Sequence, residues 1–415
     1  MFITTPAYPR AELLHTTCCS IYWLIIVDYF KIENFWVLLS GICTIHYIVS
    51  ATRSVLISQV LLFSSAILFL IKSASVKKYT YNQKDTGHAS LIIDGLRYIV
   101  CSLVCISIFM CDFPFYPSYK LKSTYFGISL MDFGVVAFML NAGMISSVSH
   151  KFRLKKSIYM GSMGLIRLGV ILSGYHSDPT EYGTHLNFYF VYLLSENLSL
   201  LFKHFDPLTA GLSILLAHEA VINQKSVIDF VFFETRENLF KANREGLISV
   251  LPYTGVLLLG KAIGKIIFAK DQTLGRTLHK LTLMLCFLFA MHFGFLHVLQ
   301  PSRRLCSLSF TSFCCGAMVL PMCIFYGISC IYQFCNIKFL SNLSRVMGPM
   351  FLLANVYVLI GNIIFDWKSY SIYYAHLSNI LYMILLFGIP VGLYRRHTLL
   401  QSDAPRKTKV SSSSK

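Results

Sequence analysis

The chain has 415 residues, of which 55% are hydrophobic and only 13% charged, and its mean hydropathy is +0.61. A soluble domain carries nearer a quarter charged residues, so this composition excludes an ordinary soluble protein and indicates a polytopic membrane protein. The formal net charge of +17 would suggest a nucleic-acid partner in a soluble protein. Here it indicates basic cytoplasmic loops and contact with anionic membrane lipids, with no nucleic acid.

Apolar runs long enough to cross a bilayer, about 20 residues each, recur along the whole chain. They predict an all-α membrane helical bundle of about thirteen transmembrane helices, or twelve if the short first run does not cross. A single membrane domain is expected over 1–394, followed by a disordered cytoplasmic tail over 395–415. The predicted spans lie near residues 17–30, 34–50, 55–71, 91–111, 132–149, 158–174, 184–202, 207–223, 248–268, 280–299, 305–332, 345–365 and 373–394.

The distribution of basic residues predicts which way the bundle is inserted. Loops 72–84 and 150–156 and the tail after Tyr394 are basic, and strict alternation of spans puts all three on the cytoplasmic side. The motif-bearing segments then lie together on the opposite side, and they are 112–131, 175–183 and 224–247. The exception to the rule is QPSRRL at 300–305, whose two arginines also fall on that opposite side.

Segment 224–247 alternates apolar and charged residues instead of forming an apolar run. This pattern predicts an amphipathic helix that lies at the membrane interface, with Gly246 as its C-cap. Asn243, Arg244 and Glu245, at its expected end, are candidates to contact a sugar or a phosphate. A solvated helix cap is the alternative interpretation of these three residues.

The stretch from Cys111 to Asp132 carries the strongest candidate for chemistry. Asp112 directly follows an apolar run, two prolines then bar a regular helix, and Lys122 comes before the next apolar run. A carboxylate at the membrane edge could take a hydroxyl proton, while Lys122 could orient that carboxylate or stabilise an oxyanion. The alternative is an acid at a helix end and a lysine that reaches for the interface.

Other polar residues stand at or inside the apolar runs. Asp132 suits either the N-terminal end of a helix, where the helix dipole favours an acid, or hydrogen bonding to a substrate or a partner residue. Arg167 lies inside an apolar run, where a charge is costly, so it needs a phosphate or a salt bridge to Glu196 or Glu219. Asn355 and Asn362 are seven residues apart on the same helical face, and this spacing indicates helix–helix packing.

Glu181, Tyr182, His185 and Asn187 are expected to enter a helix together, with Glu181 and His185 on one face because they are four residues apart. A metal site would want a third ligand of similar quality, and none is clearly placed, so no metal is expected. The favoured interpretation is a hydrogen-bonding network that holds a sugar or inositol ring.

Several of these stretches resemble the PIG-W family, the inositol acyltransferases of GPI-anchor biosynthesis. The matching motifs occur in family order from about residue 111 to 365, well over half the chain. They are DFPFYPSYKLK, LMDFGVVAF, EYGTHLNFYF, ANREGLISVLPY, SRRL and FLLANVYVLIGNIIF. The chain departs from the family where two basic residues are replaced by Ser118 and Tyr119, at positions 176–178, and at Leu186, where a tryptophan is typical.

The resemblance implies that a fatty acyl group, usually palmitoyl, is transferred from acyl-CoA to the inositol ring of glucosaminyl-phosphatidylinositol (GlcN-PI). It implies an all-helical multi-pass protein of the endoplasmic reticulum membrane, with lumenal motif loops and with acyl-CoA as co-substrate instead of a bound cofactor. In the family's D-F-P…K loop, the proposed catalytic pair falls on Asp112 and Lys122.

Two other functions remain open from the sequence. A secondary transporter would use intramembrane residues such as Arg167, Glu196, His218 and Glu219 as a relay or substrate path, although the halves show no repeat. A membrane acyltransferase that acts on another polyol or sugar is the second alternative. The H-x4-D acyltransferase motif, the G-x-S-x-G elbow and the Walker loop are absent from the sequence.

Overall fold

The structure, a computed structural model, describes residues 10–52, 56–76, 80–85, 87–147, 154–174, 178–270, 272–332 and 337–402. Part of the basic loop 150–156, positions 176 and 177 and the end of the expected tail therefore lie outside the described residues. The helices are α1 Arg10–Tyr29, α2 Phe35–Ala51, α3 Leu56–Ala74, α4 His88–Met110, α5 Leu130–Ser146, α6 Leu154–Leu172, α7 Phe188–Leu198, α8 Pro207–Ile222, α9 Lys225–Phe233, α10 Leu239–Ala242, α11 Arg244–Ile267, α12 Leu274–Phe295, α13 Leu308–Ile331, α14 Ile337–Ser344, α15 Met347–Ile364 and α16 Ile372–Ser402.

The predicted all-α polytopic class is confirmed, and each predicted span coincides with a helix. Within the described ranges, seven helices are long and apolar enough to cross a membrane, and they are α3, α4, α11, α12, α13, α15 and α16. Helices α2, α5 and α8 are shorter and apolar. The predicted span 184–202 is reduced to the eleven residues of α7, because Asn187 caps the helix and the chain before it forms a loop.

The core of the bundle lies around α11 and α13, which are buried along most of their length. Helices α5, α7 and α8 pack around α11, and α12 packs along α13. By contrast, α3 exposes large apolar side chains, including Leu56, Phe63 and Leu70. An apolar outer surface on a fully hydrogen-bonded helix suits hydrocarbon instead of water.

Helices α5 and α11 approach each other most closely at two glycines, Gly143 and Gly260. A Cβ atom added to Gly143 would overlap the backbone oxygen of Leu257, and one added to Gly260 would overlap that of Leu140. Small residues at such a crossing allow helix backbones to meet directly, which is a common source of helix association in membranes. This contact fixes α5, and α5 begins beside the loop that carries Asp112.

The prediction of one amphipathic helix over 224–247 is wrong. Helix α9 ends at Phe233, and an extended segment leads to the short α10. Asn238 starts α10 by accepting a hydrogen bond from the backbone N–H of Lys241 at 2.8 Å. Gly246 is in the first turn of α11 instead of ending a helix, and a side chain there would overlap the backbone oxygen of Tyr182.

We predict that Gly260→Ala destabilises the protein by about 1–3 kcal/mol, because the added methyl group forces α5 and α11 apart. Thermal unfolding of the purified protein in detergent measures this change. Gly169→Ala is the matched control, because a Cβ there meets no atom within 4 Å. Equal unfolding midpoints for the two variants would contradict the close crossing.

Candidate functional site

A cavity of about 340 Å³ lies between α4, α5, α6 and α15 and is closed at one end by the loops before α5 and α7. It gathers residues that are far apart in the sequence. Of the predicted site residues, Asp112, Lys122, Arg167, Glu181, Tyr182 and Asn187 line its wall. Asp178, Arg303, Asn355 and Asn362 also line it. Three acids and three bases therefore face one small space.

Asp112 lies just after the end of α4 and is half-buried in this cavity. Its Oδ2 accepts a hydrogen bond at 3.1 Å from Asn362 Nδ2, while Asn362 Oδ1 accepts one at 2.9 Å from Trp367 Nε1. Burial raises the pKa of the Asp112 carboxyl, and the Asn362 hydrogen bond and the charges of Lys122 and Lys368 oppose this rise only in part. A carboxylate of raised pKa is a stronger base near neutral pH.

Lys122 forms its ion pair with Glu181, and both side chains line the same cavity as Asp112. Burial alone would raise the pKa of the Glu181 carboxyl, but the charges of Lys122 and Arg303 together lower it. Glu181 therefore stays ionised and holds the ammonium group in place. The positive charge of Lys122 also acts on Asp112, where it lowers the pKa of the carboxyl.

Arg303 connects the Lys122–Glu181 ion pair to Asp132, a fully buried acid. Its Nη2 lies 3.9 Å from Glu181 Oε2, its Nε lies 3.7 Å from Asp132 Oδ1, and its guanidinium stacks 5.2 Å from the Tyr182 ring centroid. Asp132 lies behind the cavity wall, where its Oδ2 accepts from Ser123 Oγ at 2.7 Å and from Ser129 Oγ at 2.8 Å. Both interpretations of Asp132 thus apply in part, since it lies in the first turn of α5 and also binds partner residues.

The two arginines of segment 300–305, which do not fit the predicted orientation, lie inside the protein. Arg303 and Arg304 are buried, and Arg304 Nη2 is 3.0 Å from Glu245 Oε1. Because these charges are neutralised inside the protein, they do not act as free charges beside a membrane. Arg303 and Arg304 were not among the predicted site residues, and the available signal was two adjacent arginines between apolar runs.

Asn243, Arg244 and Glu245 do not line the cavity and are not a solvated cap, because all three are buried. Asn243 Oδ1 accepts from the backbone N–H groups of His185 and Leu186 at 2.8 and 2.9 Å. Arg244 Nε donates to the carbonyl oxygen of Val231 at 3.0 Å, and Glu245 pairs with Arg236 and Arg304. These residues hold the loop before α7 against the start of α11.

The prediction that Glu181 and His185 share a helical face is wrong. Both precede α7, in a loop that turns at Gly183 with φ of 105°. Glu181 faces Lys122, whereas His185 Nδ1 contacts Thr184 Oγ1 at 2.8 Å and Asn243 Nδ2 at 3.2 Å. In the part of the chain that the structure describes, no three His, Cys, Asp or Glu side chains are grouped to hold a metal ion.

Asn187 lines the cavity but also serves the fold. Its Oδ1 accepts from the backbone N–H of Tyr189 at 3.0 Å and so begins α7. Its Nδ2 donates to the backbone oxygen of Gly164 at 3.0 Å and ties α7 to α6. The Asn187 amide is therefore already engaged by the backbone, which favours a structural role over contact with a ligand.

Arg167 extends from α6 into the cavity wall. The two acids expected to compete for it are engaged elsewhere, since Glu196 Oε1 lies 2.7 Å from Lys156 Nζ and Glu219 Oε2 accepts from the backbone N–H of Leu308 at 2.7 Å. Asn362 also departs from the packing role expected of the late-helix asparagines, because its amide binds Asp112.

A second cavity of about 340 Å³ continues from the first along α4, α5, α7 and α15. The two share the side chains of Phe138, Phe188, Tyr189 and Phe351. Its wall is mainly apolar, and its far end carries Arg97, Lys156, Glu196 and Lys261. An apolar space next to a polar one suits a ligand that joins a hydrocarbon chain to a polar head.

Comparisons with known proteins agree with these features. The GWT1 family model matches residues 10–393. The chain is 29% identical over 277 residues to "GPI-anchored wall transfer protein 1" of Kluyveromyces lactis, covering 62% of each chain. It is 30% identical over 244 residues to "Glucosaminyl-phosphatidylinositol-acyltransferase PIGW" of Mus musculus, covering 52% of this chain and 48% of the relative. The human protein of the same name is 29% identical over 248 residues, covering 52% and 49%. The matches thus span about half to two thirds of these relatives' lengths.

We predict that Arg303→Met destabilises the protein by about 3–5 kcal/mol, because it leaves the buried Asp132 carboxylate without its counter-charge. The double variant Arg303→Met/Asp132→Asn should recover part of that loss. Thermal unfolding in detergent measures both variants, with Arg276→Met, an exposed arginine of α12, as the control. A double variant no more stable than Arg303→Met alone would show that Asp132 and Arg303 are not coupled.

Proposed function

Because the chain belongs to the GWT1 family, we propose that it is an acyl-CoA-dependent acyltransferase that acylates the inositol ring of GlcN-PI in GPI-anchor biosynthesis. The observation that carries this proposal is the position of Asp112, a half-buried carboxylate of raised pKa in a cavity that also holds Lys122 and Arg167. The names of the relatives support the same reaction class. The proposed location is the endoplasmic reticulum membrane, with the Asp112 cavity at the lumenal end and the C-terminus cytoplasmic.

In the proposed reaction, an inositol hydroxyl oxygen attacks the thioester carbonyl carbon of acyl-CoA. Asp112 takes the hydroxyl proton as the new C–O bond forms, and the C–S bond then breaks. The proton passes to the departing thiolate, so CoA leaves as a thiol. Lys122, fixed by Glu181, supplies positive charge where the carbonyl oxygen becomes an oxyanion.

The charges around the cavity suit the headgroup of GlcN-PI. This lipid carries a phosphate and an amine close together, so its headgroup needs both cations and anions around it. Arg167 is the proposed phosphate ligand, because it lines the same cavity as Asp112 and Lys122. Asp178, whose pKa is lowered by hydrogen bonds from Thr180 despite partial burial, stays ionised and could accept the amine.

The second cavity is the proposed place for the acyl chain of the donor, because it adjoins the Asp112 cavity and has a mainly apolar wall. Aromatic side chains at the junction, including Phe138 and Phe351, would seal the chain from the polar headgroup. The thioester would then lie at the Asp112 end. This arrangement keeps the hydrocarbon out of water while the carbonyl reaches the base.

The transporter alternative loses support from the same contacts. Glu196 is paired with Lys156, His218 Nε2 binds the backbone oxygen of Leu305 at 2.8 Å, and Glu219 binds the start of α13. A proton or ion relay would need these groups along a shared path, whereas each is engaged in a separate contact.

We predict that Asp112→Asn lowers the rate of acyl transfer by about 10²–10⁴-fold, the usual loss when a general base is removed. The assay uses microsomes from cells that lack their own inositol acyltransferase, supplied with GlcN-PI and labelled palmitoyl-CoA. Asp229→Asn, which alters an exposed acid on α9, should remain fully active. Undiminished product from Asp112→Asn would show that Asp112 is not the base. Absence of product from wild type would show that the proposed reaction is wrong.

We predict that Ala142→Phe changes the preferred acyl chain, because Ala142 lines the second cavity on α5 and the phenyl ring would fill part of it. Transfer from palmitoyl-CoA should fall, while transfer from a donor with a chain of eight carbons or so should fall much less. Competition between the two donors in one assay measures the ratio. Ala217→Phe, at an exposed position on α8, is the control. An unchanged ratio for Ala142→Phe would show that the chain lies elsewhere.

A further inference from the structure

We infer that Lys120 is a positioning residue that braces the loop between Asp112 and Lys122 against the first two helices through a buried ion pair with Glu12. The inference rests on the proposed function of Asp112 and Lys122. It makes α1 and α2 part of the working site, although neither helix lines the Asp112 cavity.

The Lys120 side chain is completely buried, with 0% of its surface exposed. Its ammonium group lies 2.8 Å from Glu12 Oε1 and donates to the backbone oxygens of Val49 at 2.6 Å and Thr52 at 2.8 Å. Tyr119 adds a hydrogen bond at 3.2 Å from its hydroxyl to the same Glu12 oxygen. Two successive loop residues are thus bound to a single carboxylate of α1.

Each partner is located where charge complementarity favours it. Val49 is in the last turn of α2 and Thr52 is its C-cap, so their carbonyl groups form the negative end of the helix dipole. Glu12 is in the first turn of α1, near the positive end of that helix. The Lys120 ammonium group contacts the Glu12 carboxylate and the carbonyl groups at the end of α2 at the same time. A buried ammonium group with one carboxylate and three carbonyl partners, Ser50 at 3.5 Å being the third, holds one geometry, because any other position leaves a charge unpaired.

The brace lies close to the reacting groups along the chain. Lys120 precedes Lys122 by two residues and ends the short 3-10 helix Ser118–Lys120, whose start is set by Pro117. The segment is therefore attached at two points: Lys120 is bound to Glu12 of α1, and Lys122 is bound to Glu181 in the loop before α7. Removing the first attachment should let Lys122 move away from Asp112.

A displacement of Lys122 should change the pH dependence of the reaction, because Lys122 is one of the charged groups around Asp112. Asp112 faces Lys122 from its own loop, Asn362 from the end of α15, and Lys368 from the short 3-10 helix Trp367–Ser369 that follows α15. The charge of Lys122 lowers the pKa of the Asp112 carboxyl. With Lys122 displaced, that pKa rises, so the basic form of Asp112 is lost at a higher pH as the solution is acidified. The acid limb of the pH–rate profile should move upward.

The test compares Lys120→Met, Glu12→Gln and the double variant with wild type as full-length protein. Lys120→Met should lower kcat by about 10- to 100-fold, the effect of misplaced catalytic groups, with little change in KM for acyl-CoA. Its acid limb should move up by roughly one pH unit. The double variant leaves no unpaired buried charge, so it should fold better than Lys120→Met and yet keep the shifted limb.

Lys225→Met is the matched control, because it removes one exposed positive charge from α9. A double variant that folds and keeps the wild-type pH–rate profile would overturn the inference, since lost stability alone lowers the amount of active enzyme without moving its pH dependence. Glu12→Gln, which retains the lysine and its carbonyl partners, should show a smaller shift in the same direction.

Hydrogen–deuterium exchange of the same purified proteins tests the brace without acyl transfer. Exchange over residues 117–123 should rise in Lys120→Met and in the double variant, and should stay at the wild-type level in Lys225→Met. If wild type makes no acylated product, the proposed function fails while this measurement still decides the brace. Unchanged exchange in both Lys120 variants would overturn it.

Discussion

The structure depends on one constraint, which is that a charge inside a membrane bundle must meet an opposite charge. Asp132, Arg303, Glu181 and Lys122 form a row of alternating sign that runs from the first turn of α5 to the cavity wall. Each member lies on a different segment of the chain. The row therefore holds the segments together and at the same time sets the electrostatic field at Asp112.

A second set of paired charges, around Glu245 at the start of α11, supports the loops that carry this row. Arg304 and Arg236 both contact Glu245 at the start of α11, and Asn243 ties the same turn to the loop that carries Glu181. The loop that carries Glu181 is thus also held by residues that line neither cavity. This explains why polar residues predicted to bind a ligand, such as Asn243 and Glu245, turn out to hold the loops that do line the site.

Much of the helical fold was predictable because apolar runs report directly on helices that face lipid or pack together. Asp112 was predictable for a related reason, since an acid between an apolar run and two prolines stands out in such a chain. The loop contacts were not predictable. The pairing of Lys122 with Glu181, the burial of Arg303, and the break after Phe233 depend on where distant loops meet, and a loop has no periodicity that records its partners.

The hydrogen-bond chain from Trp367 through Asn362 to Asp112 has a fixed direction. Because the indole N–H can only donate, it takes the carbonyl end of the Asn362 amide and leaves the amino end for the carboxylate. An indole ring therefore stands two hydrogen bonds from the proposed base, and it is one of only three tryptophans in the chain. A change in the protonation of Asp112 should therefore alter the surroundings of Trp367, whose indole ring is an intrinsic fluorophore.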